Sequence, residues 1–384
     1  ILIVLLKSMA MLTGNSIFRL YHAWWKNIDK VIFLLIMLLF SLGLFISLVS
    51  TSLIVSDKLD TNNYFFFFKH LVYIGLGIAT LVFFSYLKQK NLFKISIFLF
   101  FVSLFFLFLV PIIGVEVKGS KRWVDLFFFP RFQPVELVKP FTIIFLATIL
   151  SSEKNSNIYY KYLVSFIAII PIMFLLMMQP DIGQTMLVFL FWLTLIFISG
   201  ISLMVFLTFF SVSITTIFYM IFYISKFEYI KNRIISFFNP TSGTHNFQSE
   251  KAIDAITSGG FFGKGIGEGT LKNKVPEAHT DYIVSVVSEE FGVVVIIFLL
   301  LIFLLLIYNV FKKIYVEENE KVKLVLVGSV TLIICQALIH LGVNIRLFPT
   351  TGMTLPYLSY GGSSIIGVSI LSGIILNLTK RKVN

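Results

Sequence analysis

Asp281 is the first group in this chain placed to do chemistry. It closes Val275-Pro-Glu-Ala-His-Thr-Asp281 and stands immediately ahead of an apolar run over 282–310. Thr280 is a good N-cap, so a helix is expected to begin here. At 1.5 Å per residue the run is about 43 Å long. That exceeds the roughly 30 Å hydrocarbon core of a bilayer, so the helix either tilts or protrudes at its start. Asp281 then sits at the membrane interface. A carboxylate there serves either as a general base for a hydroxyl or as a helix-start charge favoured by the dipole. Glu289 and Glu290 lie further along the same helix. Acids at that depth must face the bundle or a wet cavity. One is expected to hydrogen-bond a neighbouring helix, and neither is expected to be catalytic.

Other polar clusters lie near span ends. Glu136 and Lys139 are three residues apart at the start of an apolar run, a spacing that pairs them on one helix face. Upstream is Lys118-Gly-Ser-Lys-Arg122-Trp123. It suits a sugar-phosphate headgroup through bidentate arginine contacts, or anchors the chain at the lipid headgroups with Trp123 in the aromatic belt. Ser258-Gly-Gly-Phe-Phe-Gly-Lys-Gly-Ile-Gly-Glu-Gly269 holds six glycines. It is neither a dinucleotide fingerprint nor a P-loop, because no strand precedes it and Gly265 follows Lys264 where Ser or Thr is required. The small residues of Ser359-Tyr-Gly-Gly-Ser-Ser364 suit close helix packing. No metal-ligand cluster and no nucleophile elbow is visible.

The elements that must position these groups are membrane helices. The chain has 384 residues, 58% hydrophobic and 13% charged, with 44 Phe and a mean hydropathy of +0.94. A soluble globule of this size cannot hide that much apolar side chain. Soluble enzymes, disordered chains and disulfide scaffolds are excluded. The single cysteine, Cys335, cannot form an internal disulfide. The expected fold is all-α and polytopic, with about ten transmembrane helices near 31–53, 64–87, 92–114, 136–151, 160–178, 183–199, 202–225, 282–310, 323–345 and 361–379. Lys and Arg near 7–30, 88–94, 154–161, 312–323 and 380–382 place those loops, and both termini, in the cytoplasm. The domain reading is a cytoplasmic N-terminal tail over 1–30, one membrane domain over 31–379 and a cytoplasmic tail over 380–384. No cleavable signal peptide is expected, and Met9 or Met11 is the expected start. The net charge of +12 is assigned to topology and anionic headgroups, not to nucleic acid. Two loops on the opposite face, 115–135 and 226–281, are also basic. The second is the long extracytoplasmic loop and carries most of the polar chemistry.

Together these segments resemble the SEDS family, the polytopic peptidoglycan polymerases that include FtsW, RodA and SpoVE. The resemblance rests on Lys118-Gly-Ser-Lys-Arg-Trp123, Gln133-Pro-Val-Glu136 with Lys139, Gln179-Pro-Asp-Ile-Gly183, Asn239-Pro240 and Phe247-Gln248. It continues through Ser258-Gly-Gly260, Gly263-Lys-Gly265, Pro276-Glu-Ala-His-Thr-Asp281, Glu289-Glu290 with Gly292, and Pro349 to Ser364. Order and spacing follow the family from about residue 23 to 381. Gly267-Glu-Gly-Thr270 and Gly352-Met-Thr-Leu-Pro356 look most like the septal branch, FtsW. Val135, Phe127-Phe-Phe129, Glu250-Lys251, Thr351 and Arg346 depart from the family pattern and leave a RodA-like elongation role as the alternative.

The resemblance implies an enzyme, a peptidoglycan glycosyltransferase acting on lipid II, a disaccharide-pentapeptide on undecaprenyl diphosphate. It implies that Asp281 is the essential acid and that Glu136 and Lys139 form a supporting pair near the substrate cavity. Inverting transfer is expected, with Asp281 taking the proton of the acceptor 4-hydroxyl. Lys118, Arg122, Lys264, Lys272 and Lys274 are candidates to hold the diphosphate. Trp123, Gln133 and His279 complete the candidate substrate-binding set. No cofactor is evident, and a divalent cation lacks a ligand cluster. Expected partners are a class B penicillin-binding protein, other division proteins and membrane lipids. The expected location is the bacterial cytoplasmic membrane, at the division site. Two rival classes remain. A lipid II flippase should spread polar groups across the midplane, whereas these crowd one face. A scaffold should tolerate loss of Asp281.

Overall fold

The computed structural model describes residues 22–51, 65–117, 120–126, 129–152, 157–238 and 247–380. Lys118 and the Asn239-Pro240 motif lie outside them. In lipid every backbone polar group must be satisfied within its own segment, so apolar runs become helices. These are α1 (Lys30–Thr51), α2 (Phe65–Tyr86), α3 (Gln89–Ile113), α4 (Pro134–Leu150), α5 (Ile158–Met178), α6 (Ile182–Ile198) and α7 (Leu203–Tyr223). After two shorter helices, α8 (Glu228–Phe238) and α9 (Phe247–Gly259), come α10 (Ile283–Val316), α11 (Glu320–Asn344) and α12 (Gly362–Leu378). Among the described residues, seven helices are long and apolar enough to cross a membrane, and α6 and α12 are shorter apolar helices. The chain is an all-α polytopic membrane protein.

Small residues set the packing at the centre. A Cβ on Gly77 of α2 would stand 2.6 Å from Ser369 Oγ of α12, and one on Gly373 would stand 2.7 Å from the Leu81 carbonyl. Without those side chains the two backbones approach closely, the usual device for joining helices in lipid. α12 is buried along nearly its whole length and also packs on α4. α11 packs on α4, α6 and α10.

Four expectations need correction. Within the 115–135 loop, where no strand was expected, β1 (Val115–Val117), β2 (Ser120–Leu126) and β3 (Phe129–Phe132) form an antiparallel sheet in the order β1-β2-β3. The long 226–281 segment is not without secondary structure, because α8 and α9 lie within it. The helix after Asp281 is not one unbroken rod. Gly292, at φ 80° and ψ 176°, breaks it into 283–291 and 293–316. Thr280 does not cap that helix. Tyr282 occupies the N-cap position with no side-chain hydrogen bond, and the Thr280 hydroxyl donates back to Glu277.

Candidate active site

Asp281 sits at the end of a tight turn. The N–H groups of Thr280, Asp281 and Tyr282 all donate to the Glu277 carbonyl, at 3.1, 3.1 and 3.2 Å. Two other elements hold this turn. From α11, Asn344 Nδ2 donates to the Asp281 carbonyl at 3.1 Å. From the segment before α12, the Ser359 hydroxyl donates to the Thr280 carbonyl at 2.7 Å, and the Tyr360 N–H donates to the His279 carbonyl at 3.1 Å. The His279 ring packs against Phe66 and Tyr360. The Asp281 backbone is therefore fixed on several sides, while the residue stays half-buried.

The β-sheet delivers Arg122 to the same place. Its Nη2 donates to the Pro180 carbonyl at 2.7 Å and its Nε to the Gln179 carbonyl at 3.3 Å. Asp181 Oδ2 lies 3.5 Å from that Nε. Asp181 also N-caps α6 through the Gln184 N–H and accepts from Gln133 Nε2 at 3.4 Å. Burial lifts the Asp181 carboxyl above the usual range, while the Arg122 charge opposes the shift. Arg122 Nη1 and Asp281 Oδ2 both lie beside Gly352. A Cβ placed on that glycine would stand 3.4 Å from the first and 3.5 Å from the second. Gly352 has φ +68°, a conformation glycine adopts without the clash other residues meet.

A second arginine frames the site, one the motif reading missed. Arg233 of α8 donates from Nη1 to the Thr350 carbonyl at 2.8 Å and lies over the Tyr229 ring. Burial first, then the Asp281 charge, raise the pKa of Tyr282, and Arg233 lowers it. Arg233 and Asp281 thus act on the same phenol. The available signal was the basic residue four positions after Tyr229, which puts both on one helix face.

Glu136 and Lys139 do pair, and both are buried. Lys139 Nζ lies 2.9 Å from the Glu136 carboxylate. Two glutamines extend the pair. Gln184 Nε2 donates to Glu136 Oε1 at 2.8 Å, and Gln336 Oε1 accepts from Lys139 at 3.2 Å. Gln336 Nε2 donates in turn to the Thr354 carbonyl at 3.0 Å, two residues from Gly352. The ion pair lines a small cavity with Gln336, Pro356 and Ser364.

The remaining candidates are dispersed. Trp123 is half-buried in β2, opposite Val115. Gln133 joins α4 to α12 by donating its N–H to the Ser363 hydroxyl at 2.9 Å. Lys274 is exposed on a 3₁₀ turn over Leu271–Lys274. Lys272 is buried against Glu290, and Lys264 lies 3.7 Å from Glu289. Of the two acids expected to bond a neighbouring helix, Glu289 accepts from Leu271 and Lys272 of that 3₁₀ turn, and Glu290 accepts from Gly267 of the glycine-rich loop. Among the described residues no three His, Cys, Asp or Glu side chains cluster as metal ligands.

With this geometry in view, comparison with known proteins is informative. A family model described as "Cell cycle protein", covering FtsW, RodA and SpoVE, matches residues 29–384. A probable peptidoglycan glycosyltransferase FtsW from Buchnera aphidicola is 32% identical over 381 residues, spanning 95% of this chain and 91% of that protein. Rod shape determining protein RodA from Thermus thermophilus superposes with a TM-score of 0.66 at 25% identity, covering 92% of this chain and 96% of its own. A chain from a solved peptidoglycan synthase complex, described as coordinating polymerization and crosslinking, gives a TM-score of 0.73 at 25% identity. It covers 92% of this chain and 97% of that one.

Proposed function

The chain belongs to the FtsW/RodA/SpoVE family, the SEDS proteins, and from that premise we propose that it is a peptidoglycan glycosyltransferase polymerising lipid II. The names of its relatives support this reading. The observation that carries it is the placement of Asp281 and Arg122 beside Gly352.

The proposed reaction is one inverting displacement. Asp281 takes the proton of the acceptor 4-hydroxyl as that oxygen attacks the donor anomeric carbon. The bond from that carbon to the diphosphate breaks, and undecaprenyl diphosphate leaves with the electron pair. Arg122 is placed to stabilise the departing charge, and such preorganised stabilisation is commonly a large part of catalysis. Held by two backbone carbonyls, the guanidinium needs little reorganisation as charge develops. The buried Glu136–Lys139 pair acts at one remove, through Gln336 and the Thr354 carbonyl.

The topology goes with this reading. Ten helices cross the cytoplasmic membrane, both termini are cytoplasmic, and the sheet, α8, α9 and Asp281 face outward, where lipid II is polymerised. Residues 31–379 form a single membrane domain, and Trp24, ahead of its first helix, joins it by donating its indole N–H to the Ser85 hydroxyl. A class B penicillin-binding protein is the proposed partner, in keeping with the synthase complex this chain resembles. The FtsW names of its relatives favour a septal role over an elongation role. Polymerisation of labelled lipid II by the purified protein with that partner, compared with Asp281→Asn, tests the proposal.

A further inference from the structure

The glycine-rich loop and the break in α10 form one device. At Gly292 the helix loses its regular hydrogen bonds, and the loop restores them. Lys264 N–H donates to the Glu289 carbonyl at 2.9 Å, and Gly265 N–H to the Glu290 carbonyl at 3.0 Å. In return Val293 and Val294 donate to the carbonyls of Gly260 and Phe261, at 3.1 and 3.3 Å. The contact requires glycine on both sides. A Cβ on Gly263 would collide with the Glu290 carbonyl, and one on Gly292 with the Phe261 carbonyl. Both glycines also have positive φ, +77° and +80°.

The two carboxylates lock this contact. Glu289 accepts the N–H groups of Leu271 and Lys272 at 2.8 and 2.5 Å. Glu290 accepts the Gly267 N–H and the Lys272 ammonium. Both glutamates are at most 1% exposed, so neither reaches a substrate. They sit at the C-terminal end of the segment 283–291, where a helix dipole disfavours negative charge. The loop and Lys272 supply what makes them tolerable there. That segment is buried at every position through Glu290, and Asp281 lies two residues before it. Asn344, Ser359 and Tyr360 hold its first end, and the loop holds its second.

We infer that Glu289 and Glu290 are positioning residues that fix Asp281 through the glycine-rich loop, with Lys272 as their counter-charge rather than a diphosphate ligand. The inference rests on the proposed role of Asp281 for its kinetic consequences only.

A double-mutant cycle on the full-length protein with its partner tests it, comparing wild type, Glu290→Gln, Lys272→Met and the double variant. Each single variant should lower kcat for lipid II polymerisation by about tenfold or more, with KM within about twofold. The double should lose no more than the worse single, because the two act as one unit. A raised KM at unchanged kcat in Lys272→Met would overturn the assignment, as would losses that simply multiply. If a neutral variant fails to fold, Lys272→Arg keeps the charge pair with Glu290 and should hold kcat and KM within about threefold of wild type; a raised KM in that variant would overturn the assignment. A second readout does not depend on activity. Hydrogen exchange in Glu290→Gln should accelerate both at 264–272 and across the Asp281 turn at 277–282. Acceleration confined to 264–272 would overturn the coupling. An inactive wild type would refute the polymerase reading and leave this exchange test standing.

Discussion

Arg122 Nη1 and Asp281 Oδ2 both flank Gly352, 3.4 and 3.5 Å from where a Cβ on it would stand. Each arrives from a different scaffold. Arg122 comes from the β-sheet and is held by the turn before α6. Asp281 comes from the turn before α10 and is held by α11. With glycine at 352, no side chain fills the space beside them.

Gly352→Ala tests that space. A left-handed conformation costs a non-glycine residue about 1–2 kcal/mol, and the new methyl would sit beside the two charged groups. Polymerisation should fall well beyond the loss of folded protein. Thermal unfolding measured beside activity separates the two effects. Full activity in a folded alanine variant would show that the region over Gly352 is not where substrate sits.

The Glu136–Lys139 pair predicts an asymmetric response. Breaking a buried pair by removing one partner costs about 3–5 kcal/mol, because the other charge is left buried and unpaired. Glu136→Gln and Lys139→Met should each destabilise the protein strongly. Glu136→Leu with Lys139→Met should recover much of that stability, since apolar replacements of buried pairs are often neutral. Polymerisation should stay low in the double variant, because Gln336 loses the ammonium that orients it toward Thr354. Recovery of stability and activity together would reduce the pair to packing.

Arg346 and Glu250 depart from the family pattern in the sequence, and in the structure they face each other. Arg346 Nη1 lies 3.8 Å from Glu250 Oε1, joining the end of α11 to α9. Both side chains keep access to solvent, 27% and 47% exposed. Such pairs contribute at most about 1 kcal/mol. Glu250→Gln should therefore shift unfolding only slightly, and the shift should vanish at high salt. A large, salt-insensitive loss would show that the pair holds α9 in place.

The sequence was most legible where lipid leaves the chain few choices. Apolar runs had to become helices, and Asp281, Glu136 and Lys139 stood out as charges at their ends. The relationships between runs were not legible. Gln184, Gln336 and Asn344 are neutral amides inside apolar stretches, and nothing in their spacing marks them as partners of Glu136, Lys139 and the Asp281 carbonyl. Arg233 looked like one basic residue among several until folding brought it to Thr350. Gly292 belonged to the Glu289-Glu290 motif, and nothing in that motif marked a break in the helix. Its break is stable only because a loop far back in the sequence restores the lost hydrogen bonds. Lys272 and Lys264 had the charge for a diphosphate, and only the structure places them against Glu290 and Glu289.

If Asp281 is the base of a glycan polymerase, polymer formation must depend on its carboxylate. The most direct measurement is a gel of polymer made from labelled lipid II by the purified protein with its class B partner, run beside Asp281→Asn. Wild type should give a ladder of glycan strands and the variant none, with both proteins folded and partner-bound. A ladder that survives the substitution would contradict that role of Asp281.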